Sequence, residues 1–168
     1  PVSRRVAICT GATWVTKRWP HEHWVRLVRI MTKAGYGIIQ LGQGEATVPG
    51  TATELTGRTT VYEAACVLRA CRMLISCDTG LMHLARAAGV PVLALFGPTA
   101  PEILLREDPG LTVMRSDRPC VGCWNAPVNK RGRVVMGKEG VCPLGEACCL
   151  EGIMPEQIAE RALSLMEA

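Results

Sequence analysis

The residues best placed to do chemistry are Cys77-Asp78-Thr79-Gly80, which stand between an apolar run, Met73-Leu-Ile75, and a helical pattern from Leu81 to Ala88. A carboxylate, a hydroxyl and a residue without a side chain suit an anion at such a turn. The first amides of a helix have no carbonyl partner, point outward and carry the positive end of the dipole. The N–H groups of Gly80, Leu81 and Met82 are therefore expected to face a ligand, with Thr79 as an added donor. Asp78 would repel a phosphate and is better suited to capping the helix or accepting from a sugar hydroxyl. The same residue types also make a plain N-cap, in which Asp78 or Thr79 satisfies a first-turn amide and no ligand is needed. The stretch alone leaves both readings open. His83, three residues past Gly80, is close enough to face the same seat, although a lone histidine near a helix start is more often packed or solvated.

Other loops supply groups that could meet this seat. The turn after Val6-Ala-Ile-Cys-Thr10 offers the hydroxyls of Thr13 and Thr16 and the ammonium of Lys17. Lys17 could neutralise a diphosphate as a point charge; it and Arg18 could equally be solvated surface. Gly42-Gln-Gly-Glu45 follows the next strand, where the Glu45 carboxylate could grip two hydroxyls of a ribose. Its G-x-G lacks the third glycine of a dinucleotide fingerprint and runs into Val48-Pro49-Gly50, which starts no helix. Gly97-Pro98-Thr99 closes a later strand and could line the same mouth, with Pro98 read as a plain turn. The chain has neither a Walker A loop nor a D-x-D pair. Phosphate binding would rest on amides, hydroxyls and lysine.

A second constellation is sulfur. Cys120-Val-Gly-Cys123 is followed by Cys142 and by Cys148-Cys149. A tight C-x2-C turn brings two sulfurs to one side of an ion, so four of these thiols fit a tetrahedral structural site, the fourth ligand being Cys148 or Cys149. Disulfides are the rival, disfavoured because nothing points to export. Cys9, Cys66, Cys71 and Cys77 sit in apolar segments and are expected to act as inert core.

The elements that would carry these groups alternate. Apolar strands at Val6–Thr10, Gly37–Leu41, Met73–Ile75 and Val92–Phe96 are separated by helical patterns. One opens at Trp19-Pro20, with Trp24, Leu27, Val28 and Met31 on a buried face, and ends at Gly35; Val61–Ala70 and Leu81–Ala88 are the others. The stretch from Glu45 to Thr56 reads as loop with an extended piece near Thr53-Glu-Leu55. Leu111–Met114 adds a short strand, and a Cys-rich subregion spans residues 119–150. A helix from Pro155 to about Met166 closes the chain. Near-continuous apolar strands joined by crossover helices predict an α/β fold, a parallel sheet with helices on both faces.

The 168 residues, about half of them apolar, suffice for one domain. The net charge of +4 is scattered apart from the cluster Lys130, Arg131, Arg133 and Lys138, which suits an anionic small molecule better than nucleic acid. With no span or signal pattern, the expectation is a soluble, cytoplasmic chain. It opens at Pro1 just before a strand, which is read as a piece of a longer protein.

Taken together, "TKRWPHEHW", "CDTGLMHLARAAGVPVLALFGPT" and "CPLGEACCLEGIMPEQI" resemble the C-terminal half of the family 9 glycosyltransferases, the ADP-heptose:lipopolysaccharide heptosyltransferases. The element D-[ST]-G-x-x-H, followed by G-x-P-x4-[FY]-G-P-T, is specific, and the resemblance covers most of the chain. It implies one of the two facing Rossmann-like domains of a GT-B fold, spanning residues 1–168 as a single nucleotide-sugar-binding domain. Thr79 and Gly80 would hold the diphosphate with Thr13 nearby, Lys17 would sit at the diphosphate and sugar, and Glu45 at the ribose. Asp78 would meet the heptose and Thr59 the adenine, while His83 lies within the motif. The resemblance also selects Cys149 over Cys148, for a ligand set of Cys120, Cys123, Cys142 and Cys149 holding structural iron or zinc; no catalytic metal is expected.

Two departures stand out. The segment from Glu45 to Thr56 is too short for the family's usual helix there, and the acceptor half is absent. That half provides the family's catalytic carboxylate, so this piece holds no general base. Lys17, Thr79 and Gly80 would stabilise the leaving group, and the fragment alone would bind donor without transferring. The expected partners are an ADP-sugar, the missing N-terminal acceptor domain and a lipid acceptor at the inner membrane. The rivals are a non-catalytic, metal-stabilised module whose basic residues meet an acidic partner or lipid headgroups, and a transferase using another nucleotide sugar.

Overall fold

The computed structural model describes residues 4–105, 109–118, 120–124, 142 and 148–167. The basic cluster Lys130, Arg131, Arg133 and Lys138 and most of the Cys-rich subregion lie outside them.

Six parallel strands form one sheet: β1 (Arg5–Cys9), β2 (Gly37–Leu41), β3 (Thr53–Glu54), β4 (Met73–Cys77), β5 (Val92–Phe96) and β6 (Leu111–Arg115), in the order β3-β2-β1-β4-β5-β6. Parallel neighbours need crossovers, and these are supplied by α1 (His21–Lys33), α2 (Val61–Arg69), α3 (Gly80–Ala87) and the short α4 (Pro101–Leu104). Two further helices, α5 (Cys148–Glu151) and α6 (Pro155–Glu167), end the chain.

Successive strand residues point to opposite faces, so the apolar strands feed two cores. Val6, Ile8, Ile38, Met73, Ile75, Leu93 and Leu95 pack with Trp24, Leu27, Val28 and Met31 of α1 and Ile158 and Ala162 of α6. Ala7, Ile39, Leu41, Leu74, Ala94 and Phe96 pack with Leu68 of α2 and Met82 and Ala85 of α3. The four predicted α1 residues are all buried. Trp19 clasps the ends of the fold together, its indole N–H donating to the Ile153 carbonyl at 3.0 Å.

The differences from the sequence reading are local. Pro20 is the N-cap of α1 and not its first turn, because its φ of −53° comes with an extended ψ of 139°. β4 runs two residues beyond Ile75, to Cys77. Cys9, Cys71 and Cys77 are buried as expected, whereas Cys66 is exposed, on the outward side of α2. Among the described residues no helix is long and apolar enough to cross a membrane.

The order β3-β2-β1-β4-β5-β6 reverses between β1 and β4. Crossovers leave that point in opposite directions, so the loops beyond Cys9 and Cys77 part and open a crevice at the carboxyl edge.

Candidate functional site

A cleft of about 700 Å³ occupies that crevice. Thr13 follows β1, Glu45 follows β2, Thr59 leads into α2, and Thr79 and Gly80 begin α3; all five line it. Five of the predicted substrate-binding residues therefore meet, although their loops are scattered along the chain.

Thr79 is the cap that the sequence reading allowed, and it also lines the cleft. It is the N-cap of α3, with its hydroxyl accepting from the Met82 N–H at 3.4 Å and lying 3.0 Å from the Ser76 hydroxyl. The expectation of three outward amides is thereby corrected: the Met82 amide is turned inward to the cap, which leaves the first-turn amides of Gly80 and Leu81, two residues that line the cleft. Nothing would touch a Cβ at Gly80, so the backbone there is open to close approach.

Asp78 does not cap the helix. Its Oδ2 accepts from the Lys17 ammonium at 2.6 Å and from the Thr99 hydroxyl at 2.9 Å. The side chains of Lys17 and Asp78 are only 16% and 8% exposed, so Lys17 is no solvated surface lysine. The pair cancels a charge that would otherwise repel an anion beside Thr79, and leaves Oδ1 of Asp78 as an acceptor. The Lys17 ammonium also lies 4.4 Å from the centre of the Trp14 ring, and Trp14 packs on Trp124 at 4.5 Å.

Glu45 is set by a buried glutamine. Gln40, fully buried at the end of β2, accepts from the Val48 N–H at 2.8 Å and donates to the Ala46 carbonyl at 2.9 Å. This winds the loop around one side chain, in place of a helix, and turns Glu45 back over two glycines. A Cβ on Gly11 would lie 1.6 Å from Glu45 Oε1, and one on Gly42, 2.2 Å from Oε2. Among the described residues the buried Oε2 atom has no hydrogen-bond partner. Burial, reinforced by the Glu45 charge among lesser influences, pushes the Cys9 thiol up to about 11, so the thiol lining the cleft stays protonated at neutral pH.

His83 is exposed on α3 and does not line the cleft. Thr99, expected at the mouth of the cleft, serves Asp78 instead, while Trp14 and Trp124 carry no signal in the sequence as parts of the site. The strand-end position of Gly97-Pro98-Thr99 marks the first, but nothing in the spacing ties the two tryptophans to each other.

The sulfur residues gather around the end of β5. The Gly122 and Trp124 amides donate to the Gly97 and Pro98 carbonyls at 2.9 and 2.8 Å. The Cys149 sulfur would lie 2.7 Å from a Cβ on Gly97. Burial pushes the Cys123 thiol up, and the neighbouring Cys120 and Cys142 push it further. Among the described residues, however, no three histidine, cysteine or carboxylate side chains close into a metal-binding group.

Comparison with known proteins bears on the family and the fold. The family model for glycosyltransferase family 9 (heptosyltransferase) matches residues 2–130. Lipopolysaccharide heptosyltransferase 1 of Pseudomonas aeruginosa is 36% identical over 122 residues, which are 67% of this chain and 34% of that protein. The chain thus spans about a third of the length of that relative. Among solved structures, E. coli ADP-heptose lps heptosyltransferase II superposes with a TM-score of 0.74 at 23% identity, covering 99% of this chain and 47% of the other. The dodecameric iron-containing heptosyltransferase TibC, solved in complex with ADP-D-beta-D-heptose, gives 0.78 at 22% identity, covering 97% and 45%. With the family model extending over most of its length, the chain belongs to glycosyltransferase family 9, the heptosyltransferases.

Proposed function

We propose that this chain is the donor-binding domain of a glycosyltransferase that moves a heptose from ADP-heptose to a lipopolysaccharide-core or related acceptor. The observation that carries the reading is the meeting of Glu45 and the start of α3 in one cleft at the switch point. A carboxylate with a buried, unpartnered oxygen wants hydroxyl donors, as a ribose supplies. Open amides at a helix start want an anion, as a diphosphate supplies.

In the reaction the acceptor hydroxyl attacks the anomeric carbon, the bond from that carbon to the β-phosphate oxygen breaks, and ADP leaves with the electron pair. The Gly80 and Leu81 amides and the Lys17 ammonium meet the charge that develops on the departing oxygen; a single preorganised donor of this kind is worth about 10²–10³ in rate. Asp78 orients Lys17 and accepts from a sugar hydroxyl. The proton of the attacking hydroxyl goes to a base outside this chain, in an acceptor-binding domain.

Isothermal calorimetry tests the reading. ADP binds the chain, UDP and GDP bind more weakly, and Thr79→Trp, which fills the cleft, abolishes the heat. A wild-type chain that ignores ADP overturns it, and stronger binding of UDP or GDP moves the donor to another nucleotide sugar.

A second reading concerns the sulfur cluster. Cys120, Cys123, Cys142 and Cys149 would hold a structural iron or zinc ion, a reading supported by the nearness of Cys120 and Cys142 to the Cys123 thiol and by the approach of Cys149 to Gly97. The iron-containing TibC is a structural neighbour. Elemental analysis of purified chain decides it: about one metal ion per chain, lost in Cys123→Ser, supports the site, and metal-free wild type removes it.

A further inference from the structure

We propose that Trp124 is a positioning residue for the donor site, acting through Trp14 on the ammonium of Lys17. The inference rests on the reading of the cleft as a nucleoside-diphosphate site. Lys17 ends a single 3-10 turn, Val15–Lys17, whose N-cap makes no side-chain hydrogen bond. Asp78 grips its ammonium from one side, but an arriving diphosphate competes with Asp78 for the same cation. The face of Trp14, 4.4 Å from the ammonium, attracts it whichever anion it is pairing with. That support is only as firm as the ring itself, and the ring is backed by Trp124, 4.5 Å away and tilted by 60°.

Trp124 is mounted on the loop that also fixes Asp78. Its own amide donates to the Pro98 carbonyl, the Gly122 amide donates to Gly97, and the next residue, Thr99, donates to Asp78 Oδ2. One short segment, Gly97 to Thr99, thus sets the carboxylate directly and the ammonium through two indoles. Among the described residues core packing does not account for the arrangement: Trp14 and Trp124 belong to neither core cluster, and Trp124 is 37% exposed.

The test uses the full chain with 13C-labelled lysine, of which the sequence has four residues. In the wild type the Lys17 Hε protons resonate upfield of the other three, shifted by the Trp14 ring. Trp124→Ala moves them toward the other lysines and weakens ADP binding about tenfold, with adenosine affinity and melting temperature little changed. Trp124→Phe restores both signals. An unmoved Lys17 resonance, an unchanged ADP affinity or an equal loss for ADP and adenosine in Trp124→Ala overturns the proposal, as does failure of Trp124→Phe to rescue. A wild-type chain without ADP affinity overturns the donor reading and this role with it, and that outcome is read before any variant is made.

Discussion

The Lys17 ammonium lies 2.6 Å from Asp78 Oδ2, and the two residues are sixty-one positions apart in the chain. Removing one partner leaves a poorly solvated charge, which costs about 3–5 kcal/mol for a fully buried pair. Here the Thr99 hydroxyl still serves Asp78 and some water reaches the pair, so Lys17→Met should cost about 2 kcal/mol. The unpaired carboxylate would also repel the diphosphate of the proposed donor. Lys17→Met is therefore expected to weaken ADP binding more than the double variant Lys17→Met/Asp78→Asn does. A double-mutant cycle in urea and by calorimetry reads both effects, and additive losses would show that the pair is not coupled.

Gly11 and Gly42 leave room for the Glu45 carboxylate. A methyl on Gly11 collides with the far end of that flexible side chain and not with backbone. Gly11→Ala should then cost less than about 1 kcal/mol of stability, since the carboxylate can swing away. Its effect on ADP should match that of Glu45→Ala, because both take the carboxylate out of the cleft. Unfolding curves with nucleotide titrations of the two variants check this; Gly11→Ala binding like wild type would show that Glu45 does not touch the ligand.

These residues show what could be read in advance. The alternation of strand and helix, the buried face of α1 and the strand ends that carry Thr13, Glu45 and Thr79 follow from period and punctuation, which are local properties. The Lys17–Asp78 pair is not local: β1 and β4 become neighbours only when the sheet forms. Gln40 is a polar residue in an apolar strand, and its task of winding the Glu45 loop appears only once both its partners are in place. The exposure of Cys66 is not legible in an Ala-Cys-Val stretch that is apolar on average, because the helix turns Ala64 and Leu68 inward and Cys66 outward.

Thr79 caps α3 and faces the cleft, so its two roles can be separated by size. Thr79→Ser keeps the hydroxyl that accepts from Met82 and should be within about 0.5 kcal/mol of wild type in stability and close to it in ADP binding. Thr79→Ala loses the cap, at about 1 kcal/mol, together with the donor proposed for the diphosphate. Thermal unfolding with and without ADP separates the two. If the nucleotide raises the melting temperature of Thr79→Ala as much as that of wild type, the hydroxyl is a cap alone.

Burial pushes the Cys9 and Cys71 thiols up to about 11 and the Cys77 thiol up to about 12, from an ordinary value of 9.0. Between these values the unfolded chain has released its thiol protons and the folded chain retains them. The folded state then binds more protons, and stability falls as pH rises. The contribution is complete below about pH 9 and is lost progressively by about pH 12. Cys77→Ala, which removes the most shifted thiol, should be less stable at pH 8 by about 1 kcal/mol from lost packing, yet decline less steeply above pH 9. Urea unfolding of both chains under reducing conditions at pH 8, 9.5 and 11 measures the two slopes; parallel curves would mean that Cys77 ionises as readily in the folded chain as in the unfolded one.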